Sequence, residues 1–404
     1  MTGDLLAAGI AAPIGLPTAK VLPQGVRNMT FLGVMTAPTE RYSASSSIEP
    51  LGQDFNQELS FKKILEGELD PIKRGQLRQK MLAAGLDEED SFGVSLGEVN
   101  AQVQASIPVF AMGMTKRWTA AIAVPVKKIR VNIASSVLHS NQSVHAAFAN
   151  ILGNTGAGGK KVEFEDKIGD PINEKLEEYG YAPLEESEEY SRLGDILLIN
   201  KFKTFENKFH LTTLNMSISL PTGKAADPNK LVDITGGDGQ TDLELGVLHD
   251  FKLTGPLTLT LAAHYRLQFS DHIDTRVPER RSSRISPDVE NNIARDLGDI
   301  GKIEAALSFS FVGVTLAAGY GLQYKNADKY TGQAYASERY EWLAKDSVQN
   351  MQSLQLFMGY DTVSLYKQKK FFAPMGVGLN HTRILAGKNV VSSPLTTFNF
   401  KLFF

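Results

Sequence analysis

The chain of 404 residues contains no cysteine. That excludes a disulfide scaffold, a thiolate zinc site and a cysteine nucleophile. It also lacks any run of about 20 apolar residues, so no helix can span a bilayer. Charge of one sign is missing too. The 42 basic and 45 acidic residues leave a net charge of −3, and no nucleic-acid partner is expected. No Gly-x-Ser-x-Gly elbow, Walker loop or histidine spacing suited to zinc occurs in the sequence. No catalytic residue, metal ligand or cofactor is therefore expected. Hydrophobic residues make up 42% of the chain, so the information lies in their arrangement.

That arrangement has period two, the mark of strands with one apolar face. Leu257, Leu259, Leu261, Ala263, Tyr265 and Leu267 alternate with Thr258, Thr260, Ala262, His264, Arg266 and Gln268. Ile303, Ala305, Leu307 and Phe309 alternate with Lys302, Glu304, Ala306 and Ser308. Twelve such segments fall near 26–42, 93–112, 116–139, 193–205, 208–221, 240–253, 256–271, 298–312, 314–329, 348–367, 371–385 and 391–404. Even-numbered gaps, including the tenth, read as tight turns. The odd-numbered ones are long, except the eleventh around Gly387.

Short turns at one end and long loops at the other are the plan of an outer-membrane barrel. A soluble sandwich also alternates, but its strands average about 5–6 residues, whereas a tilted membrane strand needs roughly 9–11. The predicted fold is all-β: a transmembrane, antiparallel, up-and-down barrel of about twelve strands, with short helices in the long extracellular loops. Asp70-Pro71 and Asp170-Pro171 supply helix starts, and Gly85 and Gly180 the stops. Residues 1–25 read as a periplasmic or plug segment and 26–404 as the barrel. The start carries no basic residue before the short apolar stretch Leu5 to Ala12. The expectation is therefore a secretory signal already removed and a place in the bacterial outer membrane.

One strand face would line a lumen. Its predicted members include Lys127, Glu244, His264, Arg266, Gln268, Glu304 and Lys325. Both signs occur, which favours a narrow or occluded passage over a single-sign ring. The chain ends TTFNFKLFF. Phe398, Phe400, Leu402 and Phe404 share one face, and this terminal strand resembles the recognition strand read by the barrel-assembly machinery.

From Leu220 the chain reads LPTGKAADPNKLVDITGGDGQTDLELGV. Pro221, Thr222 and Gly223, then Gly237, Asp238, Gly239, Asp242 and Gly246, resemble the phenol-degradation MetA-pathway barrel family. Leu193-Gly194-Asp195 and Met114-Thr115-Lys116-Arg117 fit the same pattern. The resemblance covers roughly 90–320. It implies a FadL-like transporter barrel for small solutes, hydrophobic ones among them.

Two other functions are compatible with this pattern. An occluded scaffold barrel docked to envelope proteins fits the apolar residues 1–25. An outer-membrane phospholipase would need Ser and His on the lipid-facing wall. His249 and His381 fall on that phase, whereas Ser217 and Ser219 fall on the opposite one. Expected partners are outer-membrane lipid, lipopolysaccharide, the barrel-assembly machinery and candidate envelope proteins. The stretch Arg276, Arg280, Arg281 and Arg284 lies in a long loop and is the candidate contact for lipopolysaccharide phosphates.

Overall fold

The computed structural model describes residues 17–67, 70–138, 176–185, 187–281 and 285–404, with Val144, Ala147, Asn173 and Ser283. The chain divides into two compact units. One holds residues 1–49, 101–131 and 188–404, and the other holds 50–100 and 132–187.

A closed antiparallel barrel is built mainly from residues of the first unit. Its strands are β1 (Arg27–Thr36), β2 (Ser91–Gly113), β3 (Trp118–Ala123 and Val126–Leu138), β4 (Ser187–Leu193 and Ile196–Glu206), β5 (His210–Leu220) and β6 (Asp242–Thr254). They continue as β7 (Leu257–Gln268), β8 (Ile300–Phe311), β9 (Val314–Lys325), β10 (Gln349–Asp361), β11 (Met375–Lys388) and β12 (Leu395–Phe403). Strand β1 closes the ring. It pairs with β2 from Arg27↔Met112 to Thr36↔Val103, and with β12 from Asn28↔Phe403 to Met35↔Thr396. Closure pairs β1 on both sides, so neither the first nor the last strand is left as an edge facing hydrocarbon.

The twelve-stranded barrel predicted from alternation is the observed fold. Four of the even gaps are tight. At one of them Gly313 has φ +83°, and a Cβ there would lie 2.4 Å from the Asp361 carbonyl oxygen. The tenth gap differs from its predicted form. Residues 362–374 separate β10 from β11 and include a short helix, Val363–Lys367. Thr362 Oγ1 donates to the Ala373 carbonyl at 2.7 Å and pins this turn to its own exit.

On β7 to β9 the outer wall is apolar. Leu261, Tyr265, Ile303, Leu307, Leu316 and Leu322 are all exposed. A water-soluble protein rarely shows so continuous an apolar belt, whereas a lipid-facing wall requires one. Above this barrel wall the strands Asp271–Arg276, Val289–Asp296 and Lys329–Thr331 form a small sheet. It packs with helix Ser337–Leu343 around Val277, Ile293 and Tyr340.

The second unit contains helices Phe61–Gly67 and Pro71–Ala83. Phe61, Leu65, Met81, Leu86 and Val144 form its core. Asp70 caps the second helix by accepting from Ile72 N at 2.8 Å, with Pro71 at the first helical position. The start signal at Asp170-Pro171 lies outside the described residues, as do residues 1–16 and Arg284.

Candidate functional site

The interior of the barrel has two chemically different walls. On β5 to β9 the inner face is polar: Thr213, Asn215, Ser217, Glu244, Arg266, Gln268, Glu304 and Gln323 are all buried. Register brings these side chains together. Glu244 stands opposite Arg266, and Gly246 opposite His264. His264 in turn stands opposite Lys302 on β8.

The result is a chain in which acidic and basic side chains alternate. Arg266 donates through Nη2 to Glu244 Oε2 at 2.9 Å. His264 Nδ1 lies 3.3 Å from Glu244 Oε1, and its Nε2 lies 4.0 Å from Glu304 Oε2. Glu304 Oε1 is 2.9 Å from Lys302 Nζ and accepts from Gln355 Nε2 at 3.1 Å. Gly246 makes room for the imidazole, since a Cβ there would fall 2.5 Å from His264 Nδ1. Buried pairs of this kind roughly balance their own desolvation cost, so the chain of charges is a weak source of stability. Lys325 is buried and pairs with Asp328. Lys127 is buried and borders a cavity of about 40 Å³ together with Asp195, Asp242, Glu244 and Arg266.

The inner face of β2 to β4 is largely apolar instead, with Thr119, Lys127 and Lys201 as its polar members. Val103, Ala105, Ile107, Val109, Ile129, Val131 and Ile199 are buried there. On β2 and β3 their neighbours Gln102, Gln104, Ser106, Lys128 and Arg130 are exposed on the other face. Both Lys128 and Arg130 pair with Glu189, at 2.7 and 2.5 Å. Here the alternation is inverted relative to β7 to β9. Pro108 on β2, the interruption at Val124-Pro125 in β3 and that at Gly194-Asp195 in β4 fall on adjacent strands. Gly194 N donates across to the Pro125 carbonyl at 2.8 Å.

The interruption in β4 gathers the motif residues of the family-like segment. Asp195 accepts from Gly223 N at 2.8 Å and from Asp238 N at 3.1 Å. Thr222 donates to the Gly194 carbonyl at 2.8 Å and accepts from Ile196 N at 3.0 Å. A Cβ on Gly237 would meet Asp195 Oδ2 at 2.0 Å. The Leu-Gly-Asp, Pro-Thr-Gly and Gly-Asp-Gly elements are thus one knot that ties the loop after β5 to β4. Nothing in their spacing alone shows this, because they lie up to about 45 residues apart.

At the short-turn end residues 17–25 enter the barrel interior. Ala19 is fully buried against Leu211, Leu248 and Ala262, all inward-facing. Asp250 accepts from Ala19 N at 3.0 Å, Thr18 Oγ1 at 3.2 Å and Thr260 Oγ1 at 2.7 Å. Lys201 Nζ donates to the Thr18 carbonyl at 2.6 Å, and Leu22 N donates to Thr119 Oγ1 at 2.8 Å. Sequence reasoning missed Asp250, Lys201 and Thr119. Beside this strap lies a cavity of about 270 Å³, bordered by Lys20, Asp250, Thr260, Ser308 and Lys401.

Phe398 is exposed, Phe400 and Leu402 are half-buried on the same face, and Asn399 between them is buried. The Phe404 main chain exchanges bonds with Arg27 at 2.8 and 2.9 Å, beside the seam between β12 and β1. Arg276 is engaged internally: it donates to the Pro228 carbonyl at 2.5 Å and to the Ser286 carbonyl at 2.8 Å. Arg281 is exposed. His249 contacts Thr212 Oγ1 at 2.8 Å and His381 contacts Thr396 Oγ1 at 3.1 Å, threonines rather than serines.

No family profile matches the chain, and no curated protein does. Solved structures do. An outer membrane channel from Pseudomonas putida F1 is 11% identical, with a TM-score of 0.54 over 97% of this chain and 100% of that one. The translocator domain of the autotransporter NalP from Neisseria meningitidis is 10% identical, with a TM-score of 0.38 over 100% and 96%. The toluene transporter TbuX of Ralstonia pickettii is 8% identical, with a TM-score of 0.37 over 94% and 90%. Ring closure, the apolar belt and the first of these likenesses agree: the chain is a twelve-stranded outer-membrane β-barrel.

Proposed function

We propose that the barrel passes small solutes across the outer membrane and that its solutes are amphipathic. The observation that carries this reading is the divided interior. A polar wall on β5 to β9 faces a barrel interior that also has an apolar wall on β2 to β4. Thr213 Oγ1, Asn215 Nδ2, Gln268 Oε1 and Gln323 Oε1 are buried and meet no protein hydrogen-bond partner. Such groups cost about 1–3 kcal/mol each when left dry, and water or a hydrogen-bonding solute meets that demand. The likeness in fold to an outer membrane channel supports the same reading.

A second reading is an occluded scaffold barrel. The strap at Ala19, anchored on Asp250 and Lys201 inside the turn-end mouth, favours it.

Planar-bilayer recording separates the two. The channel reading expects conductance steps that grow when residues 1–25 are removed. Lys302→Gln and Glu304→Gln should shift the cation-to-anion permeability ratio in opposite directions. Liposome swelling should be faster with small amphipathic alcohols than with sugars of similar size. A silent bilayer, even without residues 1–25, would leave the scaffold.

A further inference from the structure

The two ends of the barrel differ in charge as well as in loop length. The five short-end turns are residues 114–117, 207–209, 255–256, 312–313 and 362–374. Together they carry Lys116, Arg117, Lys208, Lys367, Lys369 and Lys370, and no Asp or Glu. All six cations are exposed. The whole chain has a net charge of −3, so its acidic excess lies elsewhere.

The turn 362–374 stands out further. Its thirteen residues greatly exceed the two to four of the other turns. It presents Tyr366, Phe371 and Phe372 among its three lysines. The two Phe rings stack at 4.7 Å between centroids, and Phe372 is 79% exposed. Lys369 holds φ +59°, a left-handed conformation that disfavours side chains with a Cβ. Glycine would sit there without strain, yet the sequence keeps a cation. The fold is locally fixed around it: Lys369 N donates to the Tyr366 carbonyl at 2.8 Å and Lys370 N to the Leu365 carbonyl at 2.9 Å.

This patch continues the lipid-facing belt. Phe311, Val312 and Phe404, at the same end, are all exposed. Aromatic side chains bordering cations suit the level of lipid headgroups, where rings meet the acyl boundary and ammonium groups reach phosphate. Short turns of such barrels face the periplasm, where the adjoining leaflet is phospholipid.

We infer that the turn 362–374 and the neighbouring basic turns form a recognition site for anionic phospholipid headgroups of the inner leaflet. Phe372 enters the acyl boundary, and Lys367, Lys369 and Lys370 meet the headgroup phosphates and their net negative charge. The site rests on the barrel being in the outer membrane. It is independent of whether the interior conducts.

Native mass spectrometry of the refolded full chain tests it, with phosphatidylglycerol and phosphatidylcholine as the probes. The parent protein should retain phosphatidylglycerol in preference, and the preference should weaken as salt rises. The triple variant Lys367→Gln, Lys369→Gln, Lys370→Gln should lower that preference at least about fivefold. Arg280→Gln with Arg281→Gln, at the other end, should leave it unchanged. Phe372→Ser should reduce retention of both lipids and keep their ratio. A gel shift on boiling confirms that each variant is folded. No preference in the parent protein, an unchanged preference in the triple variant, or equal losses from changes at both ends would overturn the site.

Discussion

Strands β3 and β7 alternate equally well, yet they point opposite ways. On β7, Leu261 faces out and Arg266 faces in. On β3, Ile129 faces in and is fully buried, while Arg130 faces out and is exposed. The difference is one of solvent. Within the hydrocarbon band the outer wall must be apolar and the inner one can be wet. Past Pro125 the outer wall carries Lys128 and Arg130 paired with Glu189, so water bathes it. The apolar residues then turn inward, as in any water-soluble sheet. One barrel thus applies both rules, and the level of the interruptions at Pro108, Pro125 and Gly194 marks the change on these strands.

The largest test of this contrast is Ile129→Asn. It removes packed volume and places an amide among apolar neighbours, and should cost about 2–5 kcal/mol. Ser217→Asn, on the polar inner wall, should cost far less. Urea unfolding in lipid vesicles measures both. Equal losses would mean that the inner faces of β3 and β5 do not differ in kind.

Next comes Leu261→Arg on the outer wall of β7. An arginine near the bilayer midplane should cost about 2–4 kcal/mol. The reverse change on β3, Arg130→Leu, should alter stability by much less, because only an exposed pair with Glu189 is lost. Ready labelling of Leu261→Cys by a water-borne, impermeant thiol reagent would reverse the assignment. The absence of native cysteine makes that experiment clean.

A smaller effect is expected where the strap crosses the interior. Asp250→Ala removes the acceptor for Ala19 N, Thr18 and Thr260. Leaving the buried Ala19 N–H without a partner should cost about 1–3 kcal/mol of local stability. Residues 17–25 should become protease-sensitive while β5 to β7 keep their amide protection. Unchanged proteolysis would show that the apolar contacts of Ala19 suffice to hold the strap.

Alternation and gap length revealed the barrel because period two is local and repeats twelve times. The tight turns followed from Gly255 and Gly313. The turn at 362–374 did not, because VSLYKQKKFF continues a plausible strand and only its pairing stops at Asp361. The inward phase of Glu244, Arg266 and Glu304 was legible because charge is excluded from lipid. The inward phase of Val103 to Val109 was not. Alternation has two phases, and nothing local says which side is wet. Asp250 carries no local signal of its role, since its partners at Thr18 and Ala19 lie more than 230 residues away in sequence. The Asp195 knot was visible only as a resemblance, not as a contact.

The smallest effect belongs to the outer sheet, beyond the membrane. Burial pushes the Glu290 carboxyl up, but donors outweigh it: the Gln333 amide at 2.7 Å, the Tyr340 hydroxyl, and the Ala334 amide at 3.1 Å. They hold this carboxyl below the ordinary carboxylate range. A carboxyl whose folded value is depressed stabilises the fold above its unfolded value, near about 4.3. That contribution fades as pH falls through the lower, folded value. The sheet around Val277, Ile293 and Tyr340 should therefore loosen in acid before the barrel does. Glu290→Gln keeps an acceptor oxygen but removes the charge, so it should flatten this acid-side dependence at little cost near neutrality. Tyrosine fluorescence across an acid titration reads the local change, and the boiled-versus-unboiled gel shift reads the barrel. If the variant loosens at the same pH as the parent protein, other carboxyls, with Asp271 bonded to Arg295 foremost, govern the acid behaviour of that sheet.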